Sequence, residues 1–94
     1  MSEGTIVACT EALTDLVDTT RIMAIECDAR GWIGSAHTLD TIAMQFDSTR
    51  TRLIQEGDDY LAVAWAYVDA GRLTIAQHRT KLARRLSPGG IGIS

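Results

Sequence analysis

His37 and Asp40 stand three residues apart, a spacing that sets an imidazole and a carboxylate on one side of a helix, where they could share a metal ion. A pair of ligands does not make a metal site, so solvation near a helix start is the plainer reading of both. Glu56, Asp58 and Asp59 gather carboxylates that could attract a divalent cation, but they lack the alternating acids of a calcium loop. His78 reads as a histidine at the core edge or surface rather than a base. The chain holds no HExxH, no CxxC, no phosphate-cradling glycine loop and no nucleophile elbow. No catalytic, cofactor-binding or metal residue is therefore expected, and the chain reads as a protein that is not an enzyme. Cys9 and Cys27 lie 18 residues apart on one expected helix. At the helical rise that is about 27 Å, far beyond disulfide reach, so both read as small buried thiols.

The elements that carry these residues are read from apolar spacing. Ile6, Cys9, Leu13, Leu16, Thr20, Met23 and Cys27 alternate steps of three and four, the heptad pattern of a helix packed at a shallow angle on another. That predicts a first helix over Thr5–Ala29, with Glu11, Asp15, Asp18 and Glu26 off the seam in water. Arg30-Gly31-Trp32-Ile33-Gly34-Ser35 predicts a turn, with Gly31 ending one helix and Ser35 capping the next near Ala36. The second seam is Leu39, Ile42, Phe46, Thr49 and Leu53; the same register then gives Glu56, Tyr60, Val63, Tyr67 and Ala70. Gly57-Asp58-Asp59 leaves open a kink, a short break or a continuous helix. The stretch Leu61–Val68 is apolar on nearly every side, which predicts burial on more than one face or exposure to a partner. Tyr60, Leu61, Trp65 and Val68 are the expected partner surface. Gly71 and Thr74 predict another turn, followed by a short basic helix from Ile75 to Leu86. Pro88 and its flanking glycines predict the end of structure and a flexible tail over 87–94.

The 94 residues predict a single helical domain over 1–86, comprising a hairpin over 5–70 and a helix over 75–86. The hydrophobic share of 46% and the charged share of 22% are those of a folded chain. Charge divides sharply along it. Residues 1–70 set four arginines against all 12 acids, a net of −8, whereas residues 71–94 carry five cations and no acid, a net of +5. Those cations are Arg72, Arg79, Lys81, Arg84 and Arg85. No apolar run approaches the length of a membrane span, and the first residues lack a signal-peptide pattern. A cytoplasmic protein is expected, with any secretion by a leaderless route.

The helix, the Trp32-Ile33-Gly34 motif with Gly31 before it, and a second helix carrying Phe46 and the run Phe46–Leu53 together resemble the WXG-type family. These are the early-secreted-antigen-like helical hairpins of type VII secretion in actinobacteria and firmicutes. The resemblance spans roughly Thr5 to Ala70. It implies an all-α antiparallel helical hairpin with a Trp-x-Gly turn, here followed by a short basic C-terminal helix, in which Trp32 and Gly34 are structural turn residues. It also implies a secretion substrate, chaperone or adaptor that pairs with a second helical hairpin, or with itself, in a four-helix bundle. The family's Tyr-x-x-x-acid export signal has no counterpart, since Ala64 follows Tyr60 at that spacing and Gly71 follows Tyr67. Its partner would then carry the signal for both. The alternative function is an intracellular or phage-encoded small helical protein whose basic helix binds nucleic acid or an acidic partner. An acidic body repels phosphate, so nucleic acid is not the favoured partner.

Overall fold

The computed structural model describes residues 2–86, with side chains from residue 5 onward. It is all-helical, with three helices and no strand among the described residues: α1 over Ser2–Ala29, α2 over Ile33–Glu56 and α3 over Asp58–Leu86. The expected simple hairpin is thus replaced by a three-helix arrangement, and the last helix is not short. The tail assigned to 87–94 lies outside the described residues.

Each boundary has a local cause. At the end of α1 the Gly31 N–H bonds the Asp28 carbonyl at 3.0 Å and the Trp32 N–H bonds the Cys27 carbonyl at 2.8 Å. This is the paired closure of a Schellman motif, with Gly31 at the left-handed position, φ 79°. The turn is tighter than the spacing of glycines suggested. Trp32 is itself the N-cap of α2, and Ile33 and Gly34 are already helical. Ser35 does not cap the helix; its hydroxyl accepts a hydrogen bond from Arg85 instead. At the other end Gly57 alone links α2 to α3, with φ 65° and its N–H bonded to the Leu53 carbonyl at 2.7 Å. A residue with a Cβ is strained there, which fixes the break at the glycine rather than at the aspartates.

The expected turn at Gly71 is absent, because α3 runs unbroken through it. Gly71 serves packing instead of chain reversal. A Cβ on it would lie 2.3 Å and 2.5 Å from atoms of the Phe46 ring and 3.4 Å from Leu16 Cδ1. Glycine inside a helix costs about 1 kcal/mol relative to alanine, and here the close approach of α2 and α3 offsets it. Thr74, expected as a cap, bonds back to the Ala70 carbonyl at 2.9 Å as a mid-helix threonine does.

The core lies between the three helices. From α1 it takes the predicted seam residues Cys9, Leu13, Leu16, Thr20, Met23 and Cys27, widened by Val17 and Ala24. From α2 come Leu39, Phe46, Thr49 and Leu53, with Ala36 and Ala43, and from α3 Tyr60, Ala64, Val68, Gly71 and Ile75. After Gly57 the register changes. Glu56, Val63, Tyr67 and Ala70, which would have continued the α2 seam, are exposed, and a new stripe faces inward. Each large buried aliphatic side chain stabilises the fold by about 1.5–3 kcal/mol. Buried Thr20 and Thr49 bond the carbonyls of Leu16 and Gln45, so neither hydroxyl is left unpaired. The molecule is elongated, 53 × 24 × 15 Å.

Candidate functional site

Trp32 closes one end of the bundle, half-buried against the core. The Arg85 guanidinium sits 4.2 Å from its ring centroid and that of Arg30 5.9 Å away, a cation–π clamp across α3 and the first turn. Arg85 also donates to Ser35 Oγ at 3.0 Å. Beside the ring is a cavity of about 170 Å³ whose lining includes Met23, Cys27, Arg79, Leu82 and Leu86. Burial pushes the Cys27 thiol up, while Arg85 and Arg30 pull it partly back and Glu26 adds to the rise. Cys9 is likewise raised by burial and lowered slightly by Arg72. Both thiols are free and buried. Of the expected turn residues, Gly31 and Trp32 thus build this end of the bundle, and Gly34 lies in the first turn of α2.

The expected partner surface is placed mainly inward. Tyr60 and Val68 are buried in this chain's own core, and Leu61 and Trp65 are half-buried against it. The over-apolar stretch Leu61–Val68 is covered on one side by α1 and α2, while Val63 and Tyr67 remain exposed. The five basic residues of α3 are all exposed. Among them Arg72 alone forms an ion pair within 4.0 Å, with Asp69, an exposed pair of little energetic weight; Arg79 shares the cavity beside Trp32 with Glu26. Among the described residues every ion pair lies within one helix: Asp47–Arg50 and Arg52–Glu56 on α2, and Asp69–Arg72 on α3. The basic end of α3 is therefore not neutralised by direct pairing with the acidic faces of α1 and α2.

A second stripe runs along α1 on the side away from the core. Glu11, Asp15, Asp18, Ile22, Ile25 and Ala29 are all exposed and repeat the steps of four and three of the inner seam. Ile22 is 58% and Ile25 69% exposed. Ile25 lines a shallow recess of about 250 Å³ with Ala24 and Ala36, rimmed by Asp28 and Asp40. The acids of this stripe are expected in water from the sequence; the two isoleucines that share their face are not. Their signal was present in the spacing, two places after each inner residue.

Between α2 and α3 runs a groove of different character. Its upper part, about 470 Å³, is lined by Ser35, Thr38, His78, Lys81 and Arg85, and its lower part, about 580 Å³, by residues including Met44, Gln45, Arg52, Tyr60 and Tyr67. Neither part is lined by an acid. Arg52 lies 4.6 Å from the Tyr60 ring centroid and is paired with Glu56, which holds the guanidinium pKa up.

His37 and Asp40 are both exposed. Among the described residues no group of three or more His, Cys, Asp or Glu side chains comes together as a metal site. No helix of the described residues is long and apolar enough to cross a membrane. The chain matches no known family, and no curated protein or solved structure is significantly similar to it.

Proposed function

We propose that the protein is a non-enzymatic helical protein-binding module and that the outer face of α1 is its contact surface. The observation that carries this is the exposed heptad stripe from Glu11 to Ala29, in which Ile22 and Ile25 stand in water at the spacing that elsewhere on the same helix builds the core. A seam of this kind is complementary to a helix whose own apolar residues meet the isoleucines and whose cations meet the acids. The Trp32-Ile33-Gly34 resemblance would make that partner a second helical hairpin and the protein a type VII secretion substrate or adaptor. In this fold α3 already covers the inner seams of α1 and α2, so such a partner would have to pair with an outer face. The test is photo-crosslinking from position 22 in cells that express the native gene, with the crosslinked species identified by mass. Crosslinks to a discrete protein, whether a second copy or another chain, support the reading. A surface that yields none there, and none from position 25, sinks it.

A second reading is favoured by the acid-free groove between α2 and α3, where His78, Lys81 and Arg85 could hold a nucleic acid or an acidic partner. Failure to bind duplex DNA at low salt removes its nucleic-acid form.

A further inference from the structure

We infer that the outer surface of α1 and α3 is self-complementary and that two copies of this chain pair across it in antiparallel fashion. This rests on the reading of the α1 outer face as an interface and names its occupant.

The two helices lie side by side and run in the same direction. Leu16 of α1 is level with Gly71 of α3, and Cys27 is level with Leu82 at the Trp32 end. Along them the chemistry is arranged in opposite order. On α1 the exposed acids Glu11, Asp15 and Asp18 come first and Ile22 and Ile25 follow. On α3 the half-buried Leu61 and Trp65 come first and the exposed Arg72 and Arg79 follow. These four α3 residues are spaced by four, seven and seven and so share one face. It is the α1 flank, because Arg79 lines the cavity beside Met23 and Cys27 and Arg72 stands one heptad before it on the same face.

A two-fold axis perpendicular to the helices sets α1 of one copy against α3 of the other with the direction reversed. The acidic half of α1 then faces Arg72 and Arg79, and Ile22 faces the outer edges of Leu61 and Trp65, with Ile25 toward the α2 edge of the contact. Both contacts occur twice, as a closed isologous pair requires. A parallel pairing in the register of Leu16 with Gly71 keeps Arg72 beside Asp15 and Asp18 but sets Glu11 on Trp65 and Ile22 on Arg79, so the antiparallel pairing is the better matched. The size is adequate: a helix of 28 residues is about 42 Å long. Two helices about 10 Å wide then offer about 800 Å² per copy, the half-share of a standard interface.

Charge swapping tests this. In sedimentation equilibrium at low salt the wild-type chain is expected to be a dimer at micromolar concentration. E11R/D15R/D18R and R72E/R79E, each checked for helicity by circular dichroism, should each weaken self-association by about 100-fold or more. An equimolar mixture of the two should recover a dimer, because each copy now supplies the sign the other lacks, and so should one chain carrying all five changes. A wild-type monomer throughout the range overturns the proposal, as does failure of the mixture to associate. If the wild type is monomeric yet crosslinks from position 22 to a different protein, self-pairing is wrong and the interface reading stands. If it is monomeric and yields no crosslink, both fall.

Discussion

Along its inner face α1 repeats Cys9, Leu13, Leu16, Thr20, Met23 and Cys27, and along its outer face Glu11, Asp15, Asp18, Ile22, Ile25 and Ala29. Each outer residue stands two places after an inner one, a rotation of about 200° about the helix axis. The rhythm is therefore identical and the chemistry is not. Spacing makes both faces seams; composition decides which one the chain can bury alone. The inner face is apolar apart from Thr20, whose hydroxyl is satisfied by the Leu16 carbonyl, and is covered by α2 and α3. Three carboxylates occupy half of the outer face, and desolvating them without cations opposite would cost more than the isoleucines return. A face like this stays in water until a partner brings the complementary charge.

The comparison is broken most strongly from the inner side. Leu13 is fully buried, and Leu13→Ala should lower unfolding stability by about 2–5 kcal/mol in urea denaturation. A domain of this length has about 5–14 kcal/mol in total, so the loss is a large share of the margin. A loss below about 1 kcal/mol would mean that the inner seam is loosely packed and not set apart from the outer one.

Gly71→Ala should cost less, about 1–3 kcal/mol, through a forced shift of the Phe46 ring rather than through a cavity. It is the opposite sign of packing error at the same level of the bundle. Its diagnostic is the pair: Phe46→Leu combined with Gly71→Ala should recover part of the loss, whereas purely local helix effects would leave the two costs additive. Alanine is the better helix former, so a stabilising Gly71→Ala would mean that α2 and α3 do not approach closely there.

How much of this was legible in the sequence follows from the same faces. The seam residues expected on α1 from Cys9 to Cys27 and Leu39, Phe46, Thr49 and Leu53 of α2 are buried, and Ile6 and Ile42 of the same seams are half-buried against the core, because amphipathic spacing is a local property. Gly31 was readable as a helix end for the same reason. Gly71 was not, since a helix-ending glycine and a glycine that admits a neighbouring ring look alike until the ring is placed. Thr74 and Ser35 misled similarly: both are capping types, but the helix start is fixed by where the Schellman closure at Gly31 and Trp32 leaves the chain. Val63, Tyr67 and Ala70 are expected on the seam and are exposed because Gly57, with its positive φ, re-aims the chain after it, so that Val68 turns inward and, of the continued register, Tyr60 stays buried. The outer stripe has the same spacing as the inner one, but three carboxylates in it lower its mean hydropathy to that of a solvated face, which masks Ile22 and Ile25.

The inner face also carries the titratable groups that make it sensitive to alkali. Cys9 and Cys27 have thiols raised above 9.0 chiefly by burial. Their contribution to stability is complete below the unfolded value and is lost as pH rises through the folded one, where burying a thiolate opposes folding. Melting temperature should therefore fall as pH rises above about 9, and the fall should be shallower in a Cys9→Ala/Cys27→Ala variant. Equal slopes would assign the alkaline loss to other groups. The folded thiols should also react slowly with a disulfide reagent at pH 8 and quickly in urea.

The smallest effect is the most informative about the outer face. Ile25→Ser, measured at a concentration where the chain is monomeric, should change unfolding stability by no more than about 0.5 kcal/mol, since Ile25 is 69% exposed and lies opposite the core. Serine and isoleucine have similar helix propensities, so the change reads the side chain's surroundings, and Thr19→Ser at a half-buried neighbouring position of the same helix is the control. Raised concentration should then separate two cases. If copies pair through this face, the wild type gains melting temperature with concentration and Ile25→Ser does not, because mass action acts only on the associating species. If Ile25→Ser proves as costly as Leu13→Ala in the monomer, the outer stripe is buried within the single chain. The distinction between the two faces of α1 would then be false.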